Sequence, residues 1–144
     1  MEKEQLIEKM KVLLASTFSL YLKTHNYHWN VTGQNFAQYH DFFGDLYEEL
    51  HGSIDTTAEE IRKLGAFAPG ALARYNELSV VLDETMIPES AIMFARLARD
   101  NDAVIQVLYE ARALADAAGA SGTVNYLEDR ISTHEKHAWM LKSF

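Results

Sequence analysis

The sequence predicts an all-α protein made of four long helices, with one long connection between the second and the third. Three observations predict it. Apolar residues recur at steps of three, four or seven rather than alternating, which is the period of a half-buried helix. Only two prolines and seven glycines interrupt the 144 residues. The two outer connections are short, whereas the middle one occupies residues 66–88.

The first helix is expected from about Lys3 to Val31, with Ile7, Leu14, Phe18, Tyr21, His25 and His28 on one stripe. Thr32-Gly33 is its stop, because glycine is favoured just past a helix end. The second helix should run from about Asn35 to Leu64-Gly65, roughly 45 Å at helical rise. Gly44 and Gly52 inside it weaken helix formation locally. The segment from Ala66 to Pro88 contains Pro69-Gly70, a short helical stretch from Ala71 to Leu78, and the apolar Val80-Val81-Leu82. Glu89 to Ala118 and, after Gly119-Ala120-Ser121-Gly122, Thr123 to Ser143 complete the set. Short loops make each outer pair an antiparallel hairpin, and the long link can cross the whole bundle. That is the ferritin-like four-helix bundle with a long crossover containing a short helix.

A chain of this length fits one compact domain, residues 1–144, with a core large enough to need no disulfide or structural metal. Cysteine is absent, which excludes disulfides, thiolate metal sites and cysteine nucleophiles and fits a reducing compartment. No apolar run is long enough for a signal peptide or a membrane span, so the cytoplasm is the expected location. The formal net charge is −8 and neither end carries a Lys/Arg run, whereas phosphate-backbone binding needs a basic patch or tail. Direct nucleic-acid binding is therefore disfavoured.

Metal chemistry is suggested by His28, His40, Asp55 and Glu59, two imidazoles and two carboxylates. Such a donor set suits Fe(II), Zn(II) or Mn(II), and the carboxylates favour the harder ferric ion. Asp55 and Glu59 stand one turn apart on one helix face, in line with His51, Tyr47, Gly44 and His40. His40 and Asp55, however, are separated by roughly 22 Å along the helix, too far to share an ion. Two copies of the second helix packed antiparallel across a two-fold axis would bring His40 of one to Asp55 and Glu59 of the other, twice. A centre inside the bundle is disfavoured. Ferritin-like interior sites use a Glu-x-x-His pair on each of two helices, but this chain offers only Glu48 with His51, and Ile131 occupies the position that would partner His134.

The stretch Tyr27-His28-Trp29-Asn30-Val31-Thr32-Gly33, with Asn35-Phe36, His40, Asp55, Ala58-Glu59 and Leu64-Gly65, resembles the Dps-type mini-ferritins. The ending His137-Ala138-Trp139-Met140-Leu141 is similar to that family's last helix. The resemblance implies a hollow dodecamer that oxidises Fe(II), preferentially with hydrogen peroxide and otherwise with oxygen, and stores ferric mineral. It implies ferroxidase ligands His28 and His40 from one subunit and Asp55 and Glu59 from its two-fold mate, with Trp29 beside the site to absorb stray oxidising equivalents. The rival expectations are a non-catalytic, metal-buffering cage and, less favoured, a DNA-compacting protein.

Two departures from the family pattern stand out. The carboxylate usually found one turn after the second histidine is replaced by Gly44, and Asp45 points about 140° away from His40. One tight metal position and a weaker second one are therefore expected. The acidic lining of the family's three-fold pore is also reduced, since residues 120–125 carry no acid and only Glu128 and Asp129 lie nearby. Among the remaining polar residues, His25 is a candidate neighbour of the site and His51 a packing residue near the two-fold axis. His134 and His137 are expected to be exposed, and Asp45, Glu48 and Glu49 to form a solvated or cavity-facing acidic surface.

Overall fold

The computed structural model describes residues 1–144. Five helices follow in order: α1 (Glu2–Asn30), α2 (Phe36–Lys63), α3 (Leu72–Leu78), α4 (Ser90–Ala117) and α5 (Ser121–Leu141). α1 packs against α2, α3 and α4, and α4 packs against α5, so α3 lies within the crossover as expected. No helix is long and apolar enough to cross a membrane.

The helix ends follow from local chemistry. Glu2 and Glu4 in the first turn of α1, and Arg62 with Lys63 in the last turn of α2, complement the helix dipoles. α2 and α4 both close in the same way. Gly65 and Gly119 adopt φ of +94° and +70°, and their amides bond back to Arg62 and Asp116. Ala66 and Ala120 then reach the carbonyls of Ile61 and Ala115, completing two Schellman turns that only a left-handed residue permits. This corrects one boundary. α5 begins at Ser121 rather than Thr123, because Gly119 alone makes the turn and Gly122 lies inside the helix. It also ends at Leu141, two residues earlier than Ser143.

The core runs the length of the bundle, with Leu6, Met10, Leu13 and Tyr27 of α1 against Phe43 and Leu50 of α2 and Leu97 and Leu108 of α4. Of the stripe expected on α1, Leu14 is fully buried, but the rest lies one residue off the deepest line. Leu6, Met10, Leu13, Thr17, Leu20, Thr24 and Tyr27 form the deepest line, while Ile7, Phe18, Tyr21, His25 and His28 flank it half-buried. The crossover is held to this core by Val81 and by Glu84, whose Oε1 accepts from Tyr27 (2.5 Å) and Arg96 (2.6 Å). Burial opposes the Glu84 charge, but the hydrogen bonds from Tyr27 and Arg96 outweigh it and hold the carboxyl below its ordinary pKa.

Candidate metal centre

The short turn from Val31 to Asn35 brings the last turn of α1 back onto the start of α2, so that His28 and His40 meet. Their rings stack at 3.8 Å with 19° between planes. Each Nδ1 lies 2.7 Å from the other residue's backbone carbonyl oxygen. A carbonyl only accepts, so both Nδ1 atoms carry the proton and donate. In the neutral ring this leaves the lone pair on Nε2, the form an imidazole needs to bind a metal. The exchange also satisfies the His28 carbonyl, which lies in the last turn of α1 beyond the reach of the helix ladder. Both rings are half-buried.

Asp55 and Glu59 lie further along the same face of α2, one turn apart and exposed. Within one chain no group of three or more potential ligands gathers at one point. The four residues thus form two separate pairs on one helix hairpin.

An aromatic cluster adjoins the imidazole pair. His25 stacks on Tyr47 at 3.8 Å and 9°, lies 4.0 Å from the Trp29 ring, and its Nδ1 is 2.9 Å from the Tyr21 hydroxyl. Tyr47 in turn lies 5.1 Å from His28. Burial, then the neighbouring His28 and His51, lower the pKa of His25. His25 thus adjoins the pair by way of Tyr47, its ring 6.1 Å from that of His28 and tilted by 57°, without a hydrogen bond to either ring. His51 is exposed, 4.9 Å from the Tyr21 ring, and Trp29 is also exposed. The helical spacing of Tyr21, His25 and Trp29 foreshadows this cluster, whereas the part played by Tyr47 needed the packing of α1 on α2.

The expectation for His134 and His137 is overturned: they are 1% and 7% exposed. Both continue the buried stripe of Leu127 and Leu141 at heptad steps or close to it, which is the pattern that could have identified them. Arg130 donates to His134 Nε2 at 3.0 Å, so His134 Nδ1 carries the proton and donates to Asn101 Oδ1 at 2.8 Å. Glu49 is likewise not part of a free acidic surface, because Arg130 clamps it at 2.5 and 3.0 Å. Asp45 and Glu48 are exposed as expected. A fully buried pair, Lys23 with Asp100 at 2.7 Å, lies between α1 and α4. Cationic side chains thus neutralise the carboxylates inside the bundle, where an interior metal centre would need them free.

Burial lowers the His137 pKa to about 4, with Glu49 opposing and Arg130 and Lys136 adding to the shift. His134 is held well below the usual imidazole value of 6.5 by burial, Arg130 and His137. Between about pH 6.5 and about 4 the unfolded chain binds more protons than the folded one, so stability falls as pH drops through that window. The His137 share is of order 3 kcal/mol. Urea midpoints measured from neutral pH downward should show this fall, and His137→Gln should flatten it; an unchanged slope would assign the acid sensitivity elsewhere.

Near the start of α5, Glu128 pairs with Arg112 at 3.1 Å, while Asp129 is exposed.

The family model described as a ferritin-like domain matches residues 7–144. A DNA protection during starvation protein from Brevibacillus brevis is 36% identical over 131 residues, which cover 91% of this chain and 88% of that protein. The solved structure of a Dps protein from Bacillus brevis superposes with a TM-score of 0.95 at 33% identity, covering 99% of this chain and 96% of that one. A Vibrio cholerae DPS structure, described as a member of a broad superfamily of ferritin-like diiron-carboxylate proteins, gives 0.94 at 27% identity, with 99% and 89% covered.

Proposed function

The chain belongs to the Dps family of the ferritin-like superfamily, and on that footing we propose that it is a cytoplasmic ferroxidase and iron-storage protein working as a dodecamer. The substrate is Fe(II), bound where His28 and His40 of one subunit face Asp55 and Glu59 of its two-fold mate. The observation that carries this reading is the reciprocal hydrogen bonding of the two imidazoles, which leaves both Nε2 atoms free to ligate. The exposure of Asp55 and Glu59 on the same helix supports it, since carboxylates intended for another chain must not be consumed by their own.

In the overall reaction, hydrogen peroxide takes one electron from each of two ferrous ions and, with two protons, leaves as two waters. This chain's residues bind and orient the ferrous ion, and the carboxylates favour the ferric product electrostatically. Mixing the protein with Fe(II) and limiting peroxide without oxygen should raise ferric absorbance far faster than buffer alone. Buffer-like rates would leave the second reading, a metal-buffering cage without turnover, which Gly44 favours because it supplies no carboxylate for a second ion. The same donors would accept Zn(II) or Mn(II).

DNA compaction is not part of the proposal. With a net charge of −8, DNA migration at physiological salt should be unaltered.

A further inference from the structure

Peroxide needs two electrons, and one ferrous ion supplies only one. With Gly44 offering no carboxylate to a second ion, a centre that holds one ion at a time needs another electron donor close at hand. The aromatic cluster beside His28 has the geometry of one. Tyr47 lies 5.1 Å from the His28 ring and stacks on His25 at 3.8 Å, and Tyr21 lies 6.1 Å from Tyr47. These contacts lead without a gap from a candidate ligand into the interface of α1 and α2.

Three rings of this cluster can be oxidised: Tyr21, Tyr47 and Trp29. A phenol that loses an electron becomes a strong acid, so its oxidation is easy only where a base can take the proton. Tyr21 is so equipped. Its hydroxyl lies 2.9 Å from His25 Nδ1, within the roughly 2.6–3.2 Å over which a proton passes directly. The phenol is the stronger donor of the two and a neutral imidazole nitrogen the stronger acceptor, so the hydroxyl donates. His25 is held in place by its stack on Tyr47 and its contact with Trp29 at 4.0 Å. Trp29 is 60% exposed, and a radical there would meet solvent, whereas Tyr21 is half-buried.

We propose that Tyr21, with His25 as its proton acceptor and Tyr47 as the link to His28, is a one-electron store that lets a ferrous ion bound alone complete the reduction of peroxide. The inference rests on the reading of the centre as a ferroxidase. The ferrous ion gives one electron to hydrogen peroxide, whose O–O bond breaks to hydroxide and a hydroxyl radical. Tyr21 supplies the second electron, which turns the radical into hydroxide, while the phenol proton passes to His25 Nδ1. A second ferrous ion, arriving later, returns an electron to the tyrosyl radical as His25 returns the proton. Both hydroxides take protons from solvent. The sum is two ferrous ions, one peroxide and two protons giving two ferric ions and two waters.

The test uses the whole assembled protein, loaded with one Fe(II) per chain, mixed with peroxide without oxygen and frozen quickly. Electron paramagnetic resonance should show a tyrosyl radical, identified by the change in line shape on ring-deuteration of tyrosine. Tyr21→Phe, which keeps the ring, should cut that signal on the order of tenfold or more, and so should His25→Phe, which keeps a ring but no base. Both variants should also pass more hydroxyl radical to a spin trap than the parent does. Tyr109→Phe, whose hydroxyl meets Glu135 of α5 instead, should match the parent in both readouts. A parental tyrosyl signal in Tyr21→Phe would overturn the proposal, as would a tryptophan radical in place of the tyrosyl one in the parent. If the parent oxidises no Fe(II) with peroxide, the ferroxidase reading fails. The store is then judged in the metal-free protein with a photogenerated ruthenium(III) polypyridyl oxidant: a tyrosyl signal lost in Tyr21→Phe supports it, and one that persists refutes it.

Discussion

His40→Ala chains and Glu59→Ala chains, each inactive alone, should regain about a quarter of the parental ferroxidase rate when dissociated, mixed in equal amounts and reassembled. Each substitution by itself should slow peroxide-driven Fe(II) oxidation on the order of 100-fold, because it removes a ligand from every centre. The recovery follows from symmetry. In a dimer of one variant with the other, one centre combines both lesions, while the other takes intact histidines from the Glu59→Ala chain and intact carboxylates from the His40→Ala chain. Random pairing makes half of the dimers mixed, and one of their two centres is whole. A centre closed within a single chain could not be rescued in this way, so a mixture as inactive as its components would refute the interfacial arrangement.

Lys23→Met should destabilise the fold by about 3 kcal/mol, the lower end of what an orphaned buried charge costs. Lys23 and Asp100 are both almost fully buried and 2.7 Å apart, so removing the ammonium leaves a carboxylate stranded between α1 and α4. Arg99, itself largely exposed, reaches the other oxygen of Asp100 at 3.1 Å and tempers the loss. The double substitution Lys23→Met with Asp100→Leu should recover most of the lost stability, since an apolar pair of similar volume often replaces a buried ion pair without penalty. Urea unfolding of the three variants against the parent measures this. A double variant no better than Lys23→Met would mean that packing, rather than the unpaired charge, is responsible.

The four long helices were legible because each buries one stripe over many turns, and Gly65 and Gly119 mark two of the ends unambiguously. On α1 the spacing sets the period, but apart from the buried Leu14 it does not set the phase. The half-buried line of Phe18, Tyr21, His25 and His28 is as periodic as the deeper line through Met10, Leu20 and Tyr27. His134 and His137 were misplaced for a related reason. A polar residue on a buried stripe looks exposed until its partners are known, and Asn101 and Glu49 come from helices distant in sequence.

The sequence alone determined the helix count and the long crossover, and it carries the expectation that the candidate centre is shared between two chains. These depend on quantities local to the chain: the helical period, the rise per residue, and the impossibility of His40 and Asp55 sharing an ion along one helix. Tertiary structure alone decided how that centre is prepared. Which nitrogen of His28 and His40 carries the proton depends on carbonyls contributed by the opposite helix. That a Cβ at Gly44 would crowd the His28 ring depends on that ring of α1 lying against α2. Neither fact has any signature in spacing or composition, because both arise from contacts between side chain and backbone that exist only once the two helices have packed.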